Sequence, residues 1–428
     1  LFFFLTISLI TTACHAAAKP NIWVLTDMSD PRDTRPGGHP FNDPDDICSM
    51  AALLLEANRF NIVGISFSSN TRIGLADPTP FVNDVFVAAY ANDQPFLNAT
   101  FGGYPPTIPF LRSSINRDGA PQKFDPAANY RDLTRLETVK KLVDFATTEP
   151  IYVLCWGPLT EAAIAVQHCL TTGNEAALAN MTFVSHWTKS WIAQGTPETP
   201  FKVANCNDDA RACAFLHDQA LKDPLVKFIE LGSVGQTGVV NGAADYPHFE
   251  RFRQSRLGQI FIHSKFYGGK PDQSDGATFW LLVEELGATL ADYPQNGTLD
   301  QTTEEHARDQ FLADGHAILD DLLARSDAAA QAHHPFPDSF IADTFTYVYQ
   351  FINGTYSLYA PVESTYEIFA TNGERVMHGS LPRGNRQLDF SSLPWGDYRV
   401  VMQGAGLTQE FPLAKTKTIP ATPNLKTH

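Results

Sequence analysis

Between about Asn21 and Asp343, short apolar runs alternate with amphipathic stretches, and this alternation restricts the possible fold more than any other feature of the chain. The runs are Ile22–Thr26, Ile62–Ser66, Ile151–Cys155, Thr182–Ser185, Phe228–Leu231 and Ile260–His263. Apolar strands buried on both sides and separated by helices form a mostly parallel open sheet with helices on both faces. The expected class is therefore α/β. In such sheets ligands bind beyond the carboxyl ends of the strands, so the residues that follow each run carry the functional information.

The texture changes near Phe345. Tyr347–Tyr349, Tyr356–Tyr359, Tyr366–Phe369, Gln387–Phe390 and Tyr398–Met402 are strand candidates, and Gly354, Asn372-Gly373, Gly384-Asn385 and Trp395-Gly396 supply turns between them. A small C-terminal all-β sandwich is expected over residues 344–414, after an α/β domain over residues 19–343. The polar Ala/His/Pro stretch Ala328–Pro337 reads as the linker. A Pro/Thr/Lys-rich tail, residues 415–428, is expected to be disordered.

The chain has 428 residues, of which 43% are hydrophobic and 18% charged, a globular composition. Its formal net charge of -16 argues against nucleic acid or an anionic membrane as partner, since both select a basic face. Leu1–Ile10 is apolar and small residues follow to Ala18, so residues 1–18 read as the hydrophobic core and cleavage site of a secretory signal peptide. The alternative is a lipoprotein signal with Cys14 lipidated, although Thr11 stands where Leu is preferred. Either implies a secreted, periplasmic or envelope protein, and no other run is long enough to span a bilayer. Beyond the leader, Cys48, Cys155, Cys169, Cys206 and Cys213 show no zinc-site spacing, and a Cys206–Cys213 pair is left open.

The acids near the N-terminus are the main chemical signal. The first strand delivers Asp27 at its end. After a Pro/Gly-rich loop, Asp43-Pro44-Asp45-Asp46 opens a helix that runs on through Ala57. Capping explains part of this: Asp43 suits the N-cap, Pro44 the first helical position, and Asp45 and Asp46 the positive end of the helix dipole. It does not explain another carboxylate, Asp27, aimed at the same place. A helix dipole offsets only about 0.3–1 kcal/mol per charge, whereas a hard cation with several oxygen ligands resolves the repulsion.

These residues resemble the nucleoside hydrolase family. Thr26-Asp27 and Asp45-Asp46 match the ends of its acid-rich N-terminal signature, with a longer loop between them and Leu25 in place of the first Asp. Ala57–Ile65 resembles the passage from helix to second strand, and Asn70 matches a sugar-contacting Asn. Trp156-Gly157-Pro158-Leu159-Thr160 is similar to the Gly-Pro-Leu-Thr turn whose Thr carbonyl ligates calcium. Asn205, followed by Asp209-Ala210-Arg211-Ala212, is similar to the ribose-binding Asn and the helix start after it. Asp275 in Ser274–Trp280 is similar to the late Asp that completes the metal shell. The family often has a His before that Asp, where this chain has Ser274, and an Asn after the Thr, where it has Glu161. The wording of Asp46–Met50 and Ala57–Phe60 is closer to a divergent exported branch with a β-rich C-terminal domain, some of whose members are described as cellulose-binding.

The resemblance implies a Ca2+-dependent hydrolase that cleaves an N-glycosidic bond of a nucleoside or related sugar conjugate. Asp27, Asp46, Thr160 and Asp275 would ligate the metal. Asp27 would also be the general base toward water. Asp45, Asn70 and Asn205 would hold the sugar. His186 and His263 are candidates for releasing the leaving group, and Trp187, Trp191 and Trp280 for stacking or core packing. The Gly-rich run Gly232–Gly238 lacks a Walker Lys and reads as a mobile loop. The alternative is an exported, non-catalytic carbohydrate-binding protein on the same scaffold, with a glycan also reached through the β domain. Self-association is left open.

Overall fold

Along β1, Asn21–Leu25, side chains point alternately to opposite faces, and both faces are buried. Ile22 and Val24 join one core with Leu154, Val184 and Ile229. Trp23 and Leu25 join another with Val153, Cys155, Phe183 and Phe228. Helices Pro44–Leu55, Ala88–Phe101, Arg256–His263 and Gln301–Ala329 contribute to the first core, and helices Glu137–Ala146, Thr160–Thr172 and Ala210–Lys222 to the second. Helices on both faces of the sheet bury both faces of the strands, which is why they read as mostly apolar runs whose few buried polar residues, Ser66, Ser185 and Glu230, stand toward the carboxyl ends. The computed structural model describes residues 18–30, 44–69, 77–115, 117, 123–264, 266–267, 270–330, 348–350, 355–360, 363–382, 384–389, 392–394, 396–404 and 407–415.

The other strands of this sheet are β2 (Asn61–Phe67), β3 (Phe110–Arg112), β4 (Ile151–Cys155), β5 (Met181–Ser185) and β6 (Lys227–Glu230). All neighbours pair in parallel, in the order β3-β2-β1-β4-β5-β6. The chain winds outward from β1 to β3, then returns to the far side of β1 with β4. That reversal opens a crevice at the carboxyl ends of β1 and β4, where open α/β sheets take their ligands.

Three local expectations are corrected. Ile260–His263 is not a strand but the end of the helix Arg256–His263. Ser255 caps that helix by accepting from the Gly258 amide at 2.9 Å, and Leu257, Ile260 and Phe261 form the i, i+3, i+4 face buried beside the helix Pro44–Leu55. Three apolar residues and a His carry too little periodicity to separate the two states. The half-buried edge strand β3 was not expected because three residues show no pattern. The Gly-rich run is not a mobile loop: Gly235–Val240 is a buried π-helix, and Gly238 packs so tightly that a Cβ there would lie 2.9 Å from Phe311 Cβ.

The C-terminal strands form two antiparallel sheets. One orders Gly384–Asp389, Thr355–Ala360 and Val348–Gln350; the other orders Arg375–Leu381, Ser364–Ala370, Gly396–Gly404 and Leu407–Lys415. Ile368, Leu381, Leu393, Tyr398, Val400 and Met402 form a small core. Gly373 takes φ +83° at the turn of the hairpin between Ser364–Ala370 and Arg375–Leu381. Lys415, expected to begin the tail, closes the last strand, and the rest of the tail lies outside the described residues, as does the leader apart from Ala18. Among the described residues no helix is long and apolar enough to cross a membrane.

Candidate functional site

β1 is followed directly by Thr26 and Asp27, which are 0% and 1% exposed. The Thr26 amide continues the sheet by donating to Ser66 O at 3.0 Å. Its hydroxyl donates to Asp46 Oδ1 at 2.5 Å and accepts from the Met28 amide at 3.1 Å. A side chain at the strand end therefore fixes a carboxylate at the start of the helix Pro44–Leu55. Asp45 and Asp46 lie in the first turn of that helix, where the dipole favours negative charge. One turn further on, Ser49 Oγ accepts from the Gly276 amide at 3.2 Å and docks the short helical turn Ser274–Gly276 beside them.

This docking brings Asp275 to the two acids. Carboxylate oxygens of Asp45, Asp46 and Asp275 all lie within 4.8 Å of one another. Asp46 and Asp275 are buried and Asp45 is half-buried. Asp275 is tied to β4 as well: Thr278 Oγ1 donates to Asp275 O at 2.8 Å and accepts from Trp156 Nε1 at 2.7 Å. Trp280 is wholly buried, the packing role rather than a stacking platform.

Asp27 sits at the crevice itself. The Trp156 amide donates to Leu25 O at 2.9 Å, and Gly157 then crosses so close that a Cβ there would stand 2.2 Å from Asp27 Oδ1. Only glycine leaves room for this carboxylate. Thr160 begins the helix Thr160–Thr172, and its hydroxyl donates to Asp209 Oδ2 at 2.7 Å. Asp209 also caps the helix Ala210–Lys222 and accepts from the Phe124 amide at 2.8 Å.

Asn205 is buried and uses its amide nitrogen to bind Trp156 O at 3.0 Å and His186 O at 2.8 Å. It joins the ends of β4 and β5. The next residue, Cys206, forms a disulfide with Cys213, which decides the pairing left open by the sequence. His186 follows β5, with Nε2 3.9 Å from Asp275 Oδ1 and its ring 5.7 Å from that of Trp187. Trp191 is anchored by its indole nitrogen to Leu299 O at 2.6 Å. Asn70 and the His263 side chain lie outside the described residues.

Glu161 does not face this cluster as a stand-in for the expected Asn. Its carboxylate accepts from Ser66 Oγ at 2.8 Å and from Thr138 Oγ1, linking β2 to the helix Glu137–Ala146. Sequence reasoning also passed over Glu304, which is 0% exposed and receives the Trp191 and Ser233 amides at 2.7 and 2.8 Å. Burial raises its carboxyl above the usual range, against these hydrogen bonds. It braces the loops after β5 and β6. It lies near the start of a long helix with no local signal of function, so only the folded chain reveals it.

The donor set fits a hard cation. Asp45, Asp46 and Asp275 offer oxygen alone, with no thiolate or imidazole among them, and oxygen sets of this kind suit calcium or magnesium rather than zinc. Gathering carboxylates out of water is costly unless a positive charge joins them.

Residues 39–195 match a family model described as cellulose-binding Sde182, nucleoside hydrolase-like domain. Over these residues the chain is similar to a nucleoside hydrolase-like domain. Asp27, Asn205 and Asp275 fall outside the matched residues, and folding brings Asp275 to the matched pair Asp45 and Asp46. A solved structure similar to this chain is that of a nucleoside hydrolase-related hypothetical protein from Saccharophagus degradans associated with carbohydrate metabolism. It is 14% identical, with a TM-score of 0.48, over 92% of this chain and 98% of that one. A comparison with curated proteins returns no match.

Proposed function

We propose that the protein is a calcium-dependent hydrolase of N-glycosidic bonds in ribonucleosides or a related sugar conjugate. The observation that carries this reading is the oxygen-only cluster of Asp45, Asp46 and Asp275 beside the β1–β4 crevice. Calcium bound there would orient vicinal sugar hydroxyls and make a neighbouring water more acidic. Asp46 and Asp275 of that cluster, with the Thr160 carbonyl and Asp27, would hold the cation. Asp45 is assigned to the cation or to a sugar hydroxyl, and Asn205 and Asn70 to the sugar. Asp27 takes the proton of the attacking water. The water oxygen bonds to the anomeric carbon as the carbon–nitrogen bond breaks, and the departing base leaves with a proton. His186 is assigned to that proton, because its imidazole lies 3.9 Å from Asp275. In keeping with the N-terminal apolar run, we assign this chemistry to an exported protein.

A second reading is an exported carbohydrate-binding protein without turnover. Ser274 in place of the usual His favours it, as does the cellulose-binding description of the matching family. The C-terminal strands would then supply a further glycan contact. Incubation with a panel of nucleosides and soluble glycans, with calcium or with chelator, separates the two. Calcium-dependent release of reducing sugar, abolished by Asp27→Ala, is expected of the hydrolase. Calcium-dependent glycan retention with no turnover of any substrate would overturn it in favour of the binder.

A further inference from the structure

β6 ends at Glu230, and the π-helix Gly235–Val240 that follows it packs against the helical turn Ser274–Gly276. Helical turns of this type recur at functional sites. Gly235 makes the contact: a Cβ there would stand 1.9 Å from Ser274 O and 2.7 Å from His186 Cε1. Ser274 is the neighbour of Asp275, and His186 is the imidazole beside it. The residue that follows this contact is Gln236, 5% exposed.

Both ends of the Gln236 carboxamide are buried and lack a hydrogen-bond partner among the described residues. A buried amide without partners is costly, and native folds rarely keep one without a reason. The other buried carboxamides of this region are engaged. Asn205 donates twice to main-chain carbonyls, and Gln273 accepts from Trp280 Nε1 at 3.2 Å. On the other side of the Gly235 contact, Ser274 Oγ is also buried without a partner among the described residues. Donor and acceptor capacity is therefore left unfilled on both sides of one backbone contact, next to the acidic cluster.

We propose that Gln236 is a specificity-determining residue that reads a hydroxyl of the bound sugar, donating through Nε2 and accepting through Oε1. This rests on the reading of the site as a calcium and sugar site. A carboxamide suits the task because a hydroxyl both donates and accepts, and the amide answers both without a charge that would compete for the cation. Discrimination follows from the same economy: a ligand without that hydroxyl leaves the amide buried and unsatisfied.

The test uses the full chain with calcium, D-ribose and cellotetraose as probes, read by calorimetry, with Gln236→Leu and Gln236→Met as variants. Both are expected to lower the affinity for the bound sugar at least tenfold and to leave calcium affinity within twofold. The melting temperature without sugar should equal or exceed that of the wild type, since an unsatisfied amide has been removed. Wild-type sugar affinity in either variant overturns the role of Gln236 alone, as does a lower sugar-free melting temperature in both, which would place the amide's partners inside the protein. If the wild type binds calcium but neither sugar, the sugar reading of the site fails and the proposal with it.

Discussion

Gly157 shows how one missing methyl group shapes the site. The Asp27 carboxylate occupies the space that a side chain would fill, 2.2 Å from the ideal Cβ position. Gly157→Ala must move Asp27 or the turn, so calcium affinity should fall by at least tenfold, about 1.4 kcal/mol. Titration calorimetry checks this, and unchanged affinity would remove Asp27 from the metal shell. Asp46→Asn separates charge from shape. It takes away a buried negative charge but leaves an oxygen to accept from Thr26, so the metal-free protein should melt no lower than wild type while its calcium-induced rise is lost. The acids were legible in the sequence because Asp-Pro-Asp-Asp at a helix start is a local signal. Asp275 was reachable only through the resemblance, since its approach to Asp46 depends on a hydrogen bond between Gly276 and Ser49 across 227 residues. The glycines around Gly235 and Gln236 were visible but read as a mobile loop, because composition does not separate close backbone approach from mobility.

At the level of elements, two connections hold the site's supports. The disulfide Cys206–Cys213 closes a loop whose ends are 7 residues apart and which contains Asp209; Asn205 sits just outside it. Replacing both cysteines by serine should cost about 2–3 kcal/mol of stability by loop-closure entropy, read from urea unfolding. It should also weaken sugar binding, because Asn205 links β4 and β5. The second connection is Asp93, on the helix Ala88–Phe101, which accepts from the Leu257 amide at 2.8 Å and so anchors the first turn of the helix Arg256–His263. Burial pushes its carboxyl up to about 6 from the ordinary 3.8, against that hydrogen bond. The folded state therefore holds this proton more tightly than the unfolded chain. The resulting stability is complete below pH 3.8 and is lost as pH rises through about 6. Thermal melts at about pH 5 and about pH 7.5 should show the wild type favoured at the lower pH by this group. Asp93→Asn should flatten that difference, and an unaltered slope would mean that Asp93 is ionised in the fold. Helix and strand types were legible wherever a run was long or flanked by caps. The error at Ile260–His263 arose where three apolar residues and a His fit both periods and only the Ser255 cap separates them.

For the whole molecule, the strand order decides where chemistry belongs. With β1 and β4 adjacent and parallel, and the strands that follow each winding away to opposite sides, the crevice lies beside Asp27 and Gly157, and the acidic helix start is held there by Thr26. The doubly wound α/β class was legible from alternation alone, but the order was not, because periodicity carries no information about which strands pair. The net charge of -16 is consistent with a cation at the site, although it is spread over the whole chain. Binding to the folded state alone adds about 2.7 kcal/mol at a hundredfold excess over Kd. The most direct measurement is therefore a calcium titration of the chelator-stripped full chain, wild type beside Asp275→Asn, with melting temperature followed in parallel. Saturable binding with a rise in melting temperature is expected in the wild type, and loss of both in Asp275→Asn. Equal calcium binding in the two proteins, or none in either, would contradict the calcium reading.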